Sequence, residues 1–302
     1  MCASAAKAAL SVRKTVLVVD PQRRIHQLLN RMVSGEGWNL AEAPDNEAAL
    51  SLMKESSYDL VITGQRTSTR QDLDLLQKIR GIRPHVRMIV LTDRKTPQDV
   101  IAALREQVFS FFSTPFNAEY FAHMVRLAMM EPCWDDGIEV IAATPKWIRL
   151  SVRCTRDAAS RLVQFLRQAD LPEVEREEVA CASHEVVLNA MEHGANFDPD
   201  QYVEVSYLRT KRAIACRVKD PGKGFTLEEL REAALSDPLD EFFLHPGVHE
   251  EQGVQGERFG MLLAMKLVDE IIHSEHGNDV VLIKHVDSPA PKSNLADYPS
   301  DA

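Results

Sequence analysis

Between Thr15 and about Met130, short apolar runs alternate with stretches in which apolar residues recur every three or four positions. The short runs are typical of buried strands, whereas spaced residues such as Ile25, Leu29 and Met32 indicate helices with one buried face. Strand and helix alternate five times, which predicts an α/β doubly wound domain with a five-stranded parallel sheet. The predicted strands are Thr15 to Asp20, a weak one near Leu40, Asp59 to Thr63, Arg87 to Leu91 and Ser110 to Ser113.

The alternation stops between Glu131 and Pro145, where two prolines, a glycine and several acidic residues replace it. This composition is typical of a linker, and a chain of 302 residues has the length expected for two domains. The sequence therefore predicts a loose tail at residues 1–14, a first domain at 15–130, a linker at 131–145, a second domain at 146–286 and a disordered tail at 287–302.

The second half has a different order of elements. A strand-like segment beginning at Ile148 leads into a helix, and a second, long helix runs from about Glu173 to Gly194. Two strands of alternating pattern flank a tight turn at Thr210 to Arg212, which predicts an antiparallel hairpin. A helix at Gly260 to Ile271 precedes a last strand, Val280 to Ile283. The pattern predicts an α+β sandwich with helices on one side of a mixed or antiparallel sheet.

Charge and composition narrow the possible partners. Acidic residues outnumber basic ones by 45 to 35, which gives a net charge of −10 that repels nucleic acid and anionic lipid. No apolar run approaches the roughly 20 residues of a membrane-spanning helix. The five cysteines are scattered and include no CxxC pair, which suits a reducing compartment. We therefore expect a cytoplasmic protein that binds neither nucleic acid nor membrane.

Three polar residues on the long predicted helix are candidates for a site. Glu185, Asn189 and His193 lie four residues apart, so that their side chains share one stripe of the helix. The stripe combines a carboxylate, an amide oxygen and an imidazole. By its spacing alone, it is equally compatible with a solvated polar face.

A second candidate is the turn Asp220-Pro221-Gly222-Lys223-Gly224, which directly follows a predicted strand. The two glycines permit a close approach of the backbone to a nucleotide, which a Cβ would block. The Asp220 carboxylate can accept a hydrogen bond from an exocyclic amine such as that of adenine. Taken alone, a DxGxG turn is more often structural.

Considered together, these segments resemble a known superfamily. In chain order, ExxxNxxxHG from Glu185, DPGKGF from Asp220 and GERFGMLLAMKLVDEI from Gly256 resemble the N box, first glycine box and second glycine box of GHKL ATPases. Within that superfamily the order of elements is most similar to the anti-sigma factor serine kinases. The resemblance covers about Ile148 to His285.

The resemblance implies a role for individual residues toward ATP and Mg²⁺. Glu185 would be the general base, and Asn189 would hold Mg²⁺ beside the phosphates. Asp220 would accept the hydrogen bond of the adenine amine. The other implied nucleotide-binding positions are His193, Gly222, Gly224, Arg258 and Gly260. Arg258 stands where the family usually has a glycine, and an arginine there could either replace a lost phosphate contact or block it.

The first half resembles the receiver domain of response regulators, through VLVVD, YDLVITG, IVLT and STPF at the ends of four predicted strands. Functional groups of a parallel sheet gather at the carboxyl ends of its strands. There the chain has Asp20, Gly64 in place of the nucleophilic aspartate, Thr92, and Thr114 in place of a lysine. Without a nucleophilic carboxylate no aspartyl phosphate can form. We expect a pseudo-receiver that acts as an interaction module, or else as a folded spacer.

Several functions remain open. The first is an ATP-dependent serine/threonine-protein kinase that phosphorylates a STAS-type anti-sigma factor antagonist in a partner-switching pathway, with a sigma factor as a further partner and a homodimer as the expected state. The second is a non-catalytic ATP-binding module that sequesters a partner. A third, a histidine-kinase-like phosphotransfer protein, lacks a candidate phosphoaccepting helix.

Overall fold

The computed structural model describes residues 14–32, 35–64, 68–130, 136–224 and 254–286, with the side chains of 254–259 excluded. The chain forms two compact units. Unit 1 comprises Met1–Val140 and Arg156–Asp170, and unit 2 comprises Ile141–Thr155 and Leu171–Ala302. The chain thus enters unit 2, returns to unit 1 for one short segment, and ends in unit 2. The sequence predicts a single crossing instead, from 15–130 to 146–286.

Unit 1 contains the predicted five-stranded parallel sheet, in the order β2-β1-β3-β4-β5. Its strands are β1 (Thr15–Val19), β2 (Asn39–Ala43), β3 (Leu60–Thr63), β4 (Arg87–Thr92) and β5 (Ser110–Ser113). The alternating helices are α1 (Arg24–Met32), α2 (Asn46–Glu55), α3 (Thr69–Arg80), α4 (Pro97–Arg105) and α5 (Ala118–Ala128). The central strands are apolar and buried along almost their whole length, as expected for a parallel sheet covered on both faces.

Unit 2 contains a six-stranded sheet in the order β10-β11-β9-β8-β7-β6, with antiparallel pairing from β10 through β7. Its strands are β6 (Ile138–Thr144), β7 (Trp147–Arg153), β8 (Tyr202–Arg209), β9 (Ala213–Lys219), β10 (Glu270–His273) and β11 (Asp279–His285). The remaining helices of the described residues are α6 (Arg156–Leu166), α7 (Glu173–Ala195) and α8 (Val254–Leu267). Helix α8 packs along α7, which contacts strands β8, β9 and β11.

Two elements differ from the sequence-based expectation. Ile138–Thr144 form strand β6 inside the predicted linker, because the apolar residues of this segment have strong strand propensity and β7 lies beside it to pair with. The last helix spans Val254–Leu267 and not Gly260 to Ile271, so Gly260 lies inside it and not at its start. It ends before Ile271 because Glu270–His273 pair with β11 as strand β10. The predicted tails, apart from Lys14, and the start of the predicted linker lie outside the described residues.

Candidate functional site

The polar stripe predicted from the sequence lies on α7. Glu185, Asn189 and His193 all fall within this helix, about 6 Å apart along its axis at each step of four residues. Glu185 and Asn189 are half-buried, whereas His193 is exposed. The opposite side of α7 is buried in unit 2 through residues such as Val186 and Val187. The helix therefore presents its carboxylate and amide on a partly covered surface.

The Glu185 carboxylate lies against the backbone of α8. Gly260 of α8 is buried, and a Cβ at that position would overlap the Glu185 Oε2 atom. Burial raises the pKa of the Glu185 carboxyl above its ordinary value. The His184 Nδ1 atom lies 3.7 Å from the Glu185 Oε1 atom. The predicted base and the predicted glycine of the second box are thus neighbours in space.

The turn after β9 is fixed by hydrogen bonds to the segment that leads into β11. The Asp220 N–H donates to the Asn278 carbonyl oxygen at 3.1 Å, and the Asn278 Nδ2 donates to the Gly222 carbonyl oxygen at 3.1 Å. Within the turn, the Gly222 N–H donates to the Asp220 Oδ1 at 2.8 Å. Gly224 has a φ of +72°, and a Cβ there would overlap the His276 carbonyl oxygen. These contacts hold the turn against the segment that leads into β11.

Asp220 also meets the end of α7. A Cβ on Gly194 would overlap the Asp220 carboxyl group, and a Cβ on Gly222 would lie 2.9 Å from the Gly194 Cα. Burial raises the pKa of Asp220, although the Gly222 hydrogen bond and the nearby His193 act in the opposite direction. Two predicted glycine motifs therefore contact α7: Gly260 of α8 lies beside Glu185, and the Asp220 turn lies beside Gly194.

Sequence reasoning missed several residues of this arrangement. Gly194 closes the ExxxNxxxHG motif but has no role assigned from sequence. Asn278 has only a weak signal, since Gly277-Asn278 is a turn dipeptide between two strands. His184 and His276 have no distinguishing pattern. Arg258 lies in α8 but among the side chains outside the described residues, so its effect stays a prediction.

The described residues have the donors that Mg²⁺ bound to a nucleotide requires. Mg²⁺ prefers oxygen ligands and is commonly held by one or two protein groups together with substrate phosphates. The Asn189 amide oxygen, one helical turn from the Glu185 carboxylate, matches that donor set. Among the residues that the structure describes, no group of three or more His, Cys, Asp or Glu side chains could hold a metal by itself. The site therefore fits a metal ion that is held in part by ATP.

The receiver-like positions in unit 1 come together at the carboxyl edge of the parallel sheet, but local structure occupies their polar groups. The Asp20 carboxylate accepts from the N–H groups of Gln22 and Ile25 at the start of α1, at 3.0 and 2.9 Å. The Thr92 hydroxyl donates to the Arg94 carbonyl oxygen at 2.7 Å. The Thr114 N–H donates to the Thr92 carbonyl oxygen at 3.0 Å.

Gly64 stands where a nucleophile would be required, and the space beside it is limited. A Cβ there would lie 3.1 Å from both the Asp20 Cβ and the Val19 carbonyl oxygen. Asp59, the other acidic residue of this strand region, accepts from the Thr15 N–H at the opposite end of the sheet. The described pocket has no carboxylate in the nucleophilic position.

Family comparisons assign a class to each half of the chain. Residues 16–126 match the family described as response regulator receiver domain, and residues 148–284 match the family described as histidine kinase-like ATPase domain. The chain thus has an N-terminal receiver domain and a C-terminal histidine kinase-like ATPase domain. The second assignment implies ATP binding, and the combination fits a regulatory ATP-binding protein.

Individual relatives match the first half of the chain. The probable transcriptional regulatory protein TcrX of Mycobacterium tuberculosis is 29% identical over 35% of this chain and 45% of its own length. Transcriptional regulatory protein GlrR of Escherichia coli is 26% identical over 45% of this chain and 31% of its own length. This chain therefore spans less than half of either relative.

Solved structures also match the first half. A response regulator from Thermotoga maritima is 21% identical, with a TM-score of 0.36, over 39% of this chain and 98% of that one. The signal receiver domain of an HD domain-containing protein from Pseudomonas fluorescens Pf-5 is 27% identical, with a TM-score of 0.35, over 39% of this chain and 94% of that one. No helix in the described ranges has the length and apolar character needed to cross a membrane.

Proposed function

We propose that this protein is an ATP-dependent serine/threonine-protein kinase of the anti-sigma factor type, whose substrate is a STAS-type anti-sigma factor antagonist. The observation that carries the proposal is the position of Glu185, a half-buried carboxylate on the same helix as Asn189 and in contact with the backbone of α8 at Gly260. The preference for a serine or threonine substrate and for this partner follows from the family resemblance.

The chemistry assigned to the chain's own residues is proton acceptance and positioning. The Glu185 carboxylate would accept the proton of the substrate hydroxyl. The hydroxyl oxygen would form a bond to the γ-phosphorus of ATP as the bond between that phosphorus and ADP breaks. A raised pKa favours this role, because a base is most effective when its pKa approaches the working pH. When bound, Mg²⁺ would neutralise charge on the phosphates, with Asn189 as its ligand from the protein.

Adenine recognition is assigned to the turn after β9. The Asp220 carboxylate would accept a hydrogen bond from the adenine amine. Asn278 holds Gly222, and Gly194 leaves room for the carboxyl group, so these residues would fix the position of Asp220. The N-terminal domain would act without becoming phosphorylated, as an interaction module.

A labelled-phosphate assay tests the kinase proposal. The purified chain is incubated with γ-labelled ATP, Mg²⁺ and a STAS-type anti-sigma factor antagonist, and Glu185→Ala is tested in parallel. Transfer of label to the antagonist by the wild type, with loss in the variant, is the expected result.

A specific residue supports the alternative function. Arg258 occupies a position where the resembling family has a glycine, and a side chain there is compatible with ATP retention without transfer. If the wild type and Glu185→Ala both bind ATP tightly and neither transfers label to the antagonist, the protein is a non-catalytic module that sequesters its partner and not a kinase.

A further inference from the structure

Helix α6 belongs to unit 1, although the chain on either side of it belongs to unit 2. It follows β7 and precedes α7 in sequence, and both of these elements belong to unit 2. Residues 156–170 nevertheless belong to unit 1, where α6 packs against β5. Only Cys154 and Thr155 separate β7 from α6, and a short segment separates α6 from the helix that carries Glu185. The first helix within the residues matched to the ATPase family therefore packs inside unit 1.

A stripe of polar residues fixes α6 to the outer edge of the parallel sheet. Arg161 and Gln164 of α6, and Gln168 two residues after its end, are 4%, 2% and 7% exposed. The Arg161 Nε donates to the Phe109 carbonyl oxygen at 2.9 Å, and the Gln164 Nε2 donates to the Phe111 carbonyl oxygen at 2.8 Å. Arg161 and Gln164 thus supply donors to β5, an edge strand of the sheet, and to the residue just before it.

A cation–π cluster reinforces this attachment. The Arg161 guanidinium lies 4.5 Å from the centre of the Phe109 ring, and the Arg87 guanidinium lies 4.9 Å from the same ring. Asp136 joins the two arginines, because its carboxylate pairs with Arg87 and its carbonyl oxygen accepts from Arg161. Detaching α6 would leave a buried guanidinium and several buried carbonyl groups without these contacts, which is strongly unfavourable.

Gln168, two residues beyond the end of α6, contacts the edge of the pseudo-receiver pocket. The Ser113 hydroxyl donates to the Gln168 Oε1 at 2.9 Å, and the Lys95 Nζ donates to the same oxygen at 3.4 Å. Ser113 directly precedes Thr114, one of the four pocket positions. A change of conformation at this edge of the sheet therefore acts on residues that lie just before α7.

We propose that α6 is the coupling element through which the pseudo-receiver domain regulates the nucleotide site, so that a change of conformation at Ser113 and Lys95 is passed through Gln168 to the segment that precedes α7. This regulation rests on the proposed function of the Glu185 site. The physical basis is local. Buried hydrogen bonds fix α6 to β5 and to Phe109 just before it, and only residues 167–172 separate α6 from the helix that carries Glu185 and Asn189.

Amide hydrogen exchange of the full chain tests the coupling without nucleotide. Gln164→Leu retains the size of the side chain but removes the donor to Phe111. We expect exchange in α7 to become at least about fivefold faster, which corresponds to the loss of one hydrogen bond of about 1 kcal/mol. The matched control is Asp45→Ala, which removes the cap of α2 in the same unit without touching α6. It should leave α7 unchanged.

Two results would overturn the coupling. One is faster exchange confined to α6 and β5 in Gln164→Leu, and the other is an equal acceleration of α7 in Asp45→Ala. If Gln164→Leu does not fold, Gln168→Ala, which removes only the contacts to Ser113 and Lys95, gives the same comparison. ATP titration of the wild type is a separate measurement, so failure of the nucleotide site and failure of the coupling are distinguishable.

Discussion

Replacing Gly260 and replacing Gly224 should have different consequences, although both glycines belong to one site. A Cβ on Gly260 would meet the far end of the flexible Glu185 side chain, which can move aside. A Cβ on Gly224 would meet the backbone of His276, and φ at Gly224 is +72°. The first replacement displaces the proposed base, whereas the second strains the backbone.

We predict that Gly260→Ala lowers phosphoryl transfer by about 100-fold, the scale of losing general-base catalysis, with little change in melting temperature. Gly224→Ala should instead lower the melting temperature by several degrees, since a strained φ costs about 1–3 kcal/mol. Parallel transfer assays and thermal denaturation measure both effects. A large loss of stability in Gly260→Ala, without a specific loss of transfer, would contradict the assignment.

Glu185 also gives a pH-dependent prediction. Burial raises its folded-state pKa, so the folded protein binds a proton more tightly than the unfolded chain. Stability of the wild type therefore falls as the pH rises from the ordinary value of 4.5 through the raised pKa, and stays lower above it. Glu185→Gln does not titrate, so it should be more stable than the wild type at pH 7 and inactive in transfer.

The stability difference between Glu185→Gln and the wild type should shrink as the pH falls through the raised pKa towards 4.5, and it should be largely lost below that value, because Glu185 is then protonated in both the folded and the unfolded state. Chemical denaturation at several pH values measures it. A difference that is constant with pH would show that burial of the charged carboxylate is not its source.

At the scale of elements, hydrophobic periodicity predicted the receiver strands and the hairpin of β8 and β9, because their burial patterns are regular. It failed at β6, which lies in a segment flanked by prolines and acidic residues, and at β10, which has only four residues; both strands pair with a neighbouring strand. The α7 stripe and the Asp220 turn were predictable as motifs. Their contacts with Gly260, Gly194 and Asn278 were not, since tertiary packing alone determines them.

The carboxyl edge of the parallel sheet gives an element-scale prediction. Gly64→Asp restores a carboxylate in the nucleophilic position, but its Cβ would lie 3.1 Å from both Asp20 Cβ and Val19 O, and Thr114 offers no lysine charge. After incubation with acetyl phosphate and Mg²⁺, we expect the intact mass of this variant to show no added phosphoryl group. Stoichiometric phosphorylation would show that one substitution alone removed the receiver's activity.

At the scale of the whole molecule, the boundary between units is not the boundary between family matches. The ATPase match begins at residue 148 and includes α6, whereas α6 belongs to the unit that contains the parallel sheet. Sequence periodicity could not reveal this, because a helix buried on all sides shows the same pattern whichever unit surrounds it.

A fragment of residues 146–286 should therefore fold poorly. Without unit 1, the side chains of Arg161 and Gln164 lose their partners on residues 109–111 and become exposed together with apolar neighbours on α6. We expect a lower melting temperature and more aggregation than in the full chain, as measured by thermal denaturation and light scattering. A fragment as stable as the ATPase domain within the full chain would contradict the assignment of α6 to unit 1.

Calorimetric titration of the full chain with ATP and Mg²⁺ tests the central claim most directly. The account predicts one ATP bound per chain, and about tenfold or greater weakening in Asp220→Ala, because a hydrogen bond to a charged group contributes about 1.5–3 kcal/mol. Asp45→Ala, which lies in unit 1, should bind as the wild type does. Absence of ATP binding by the wild type, or equal affinity in Asp220→Ala, would contradict the account.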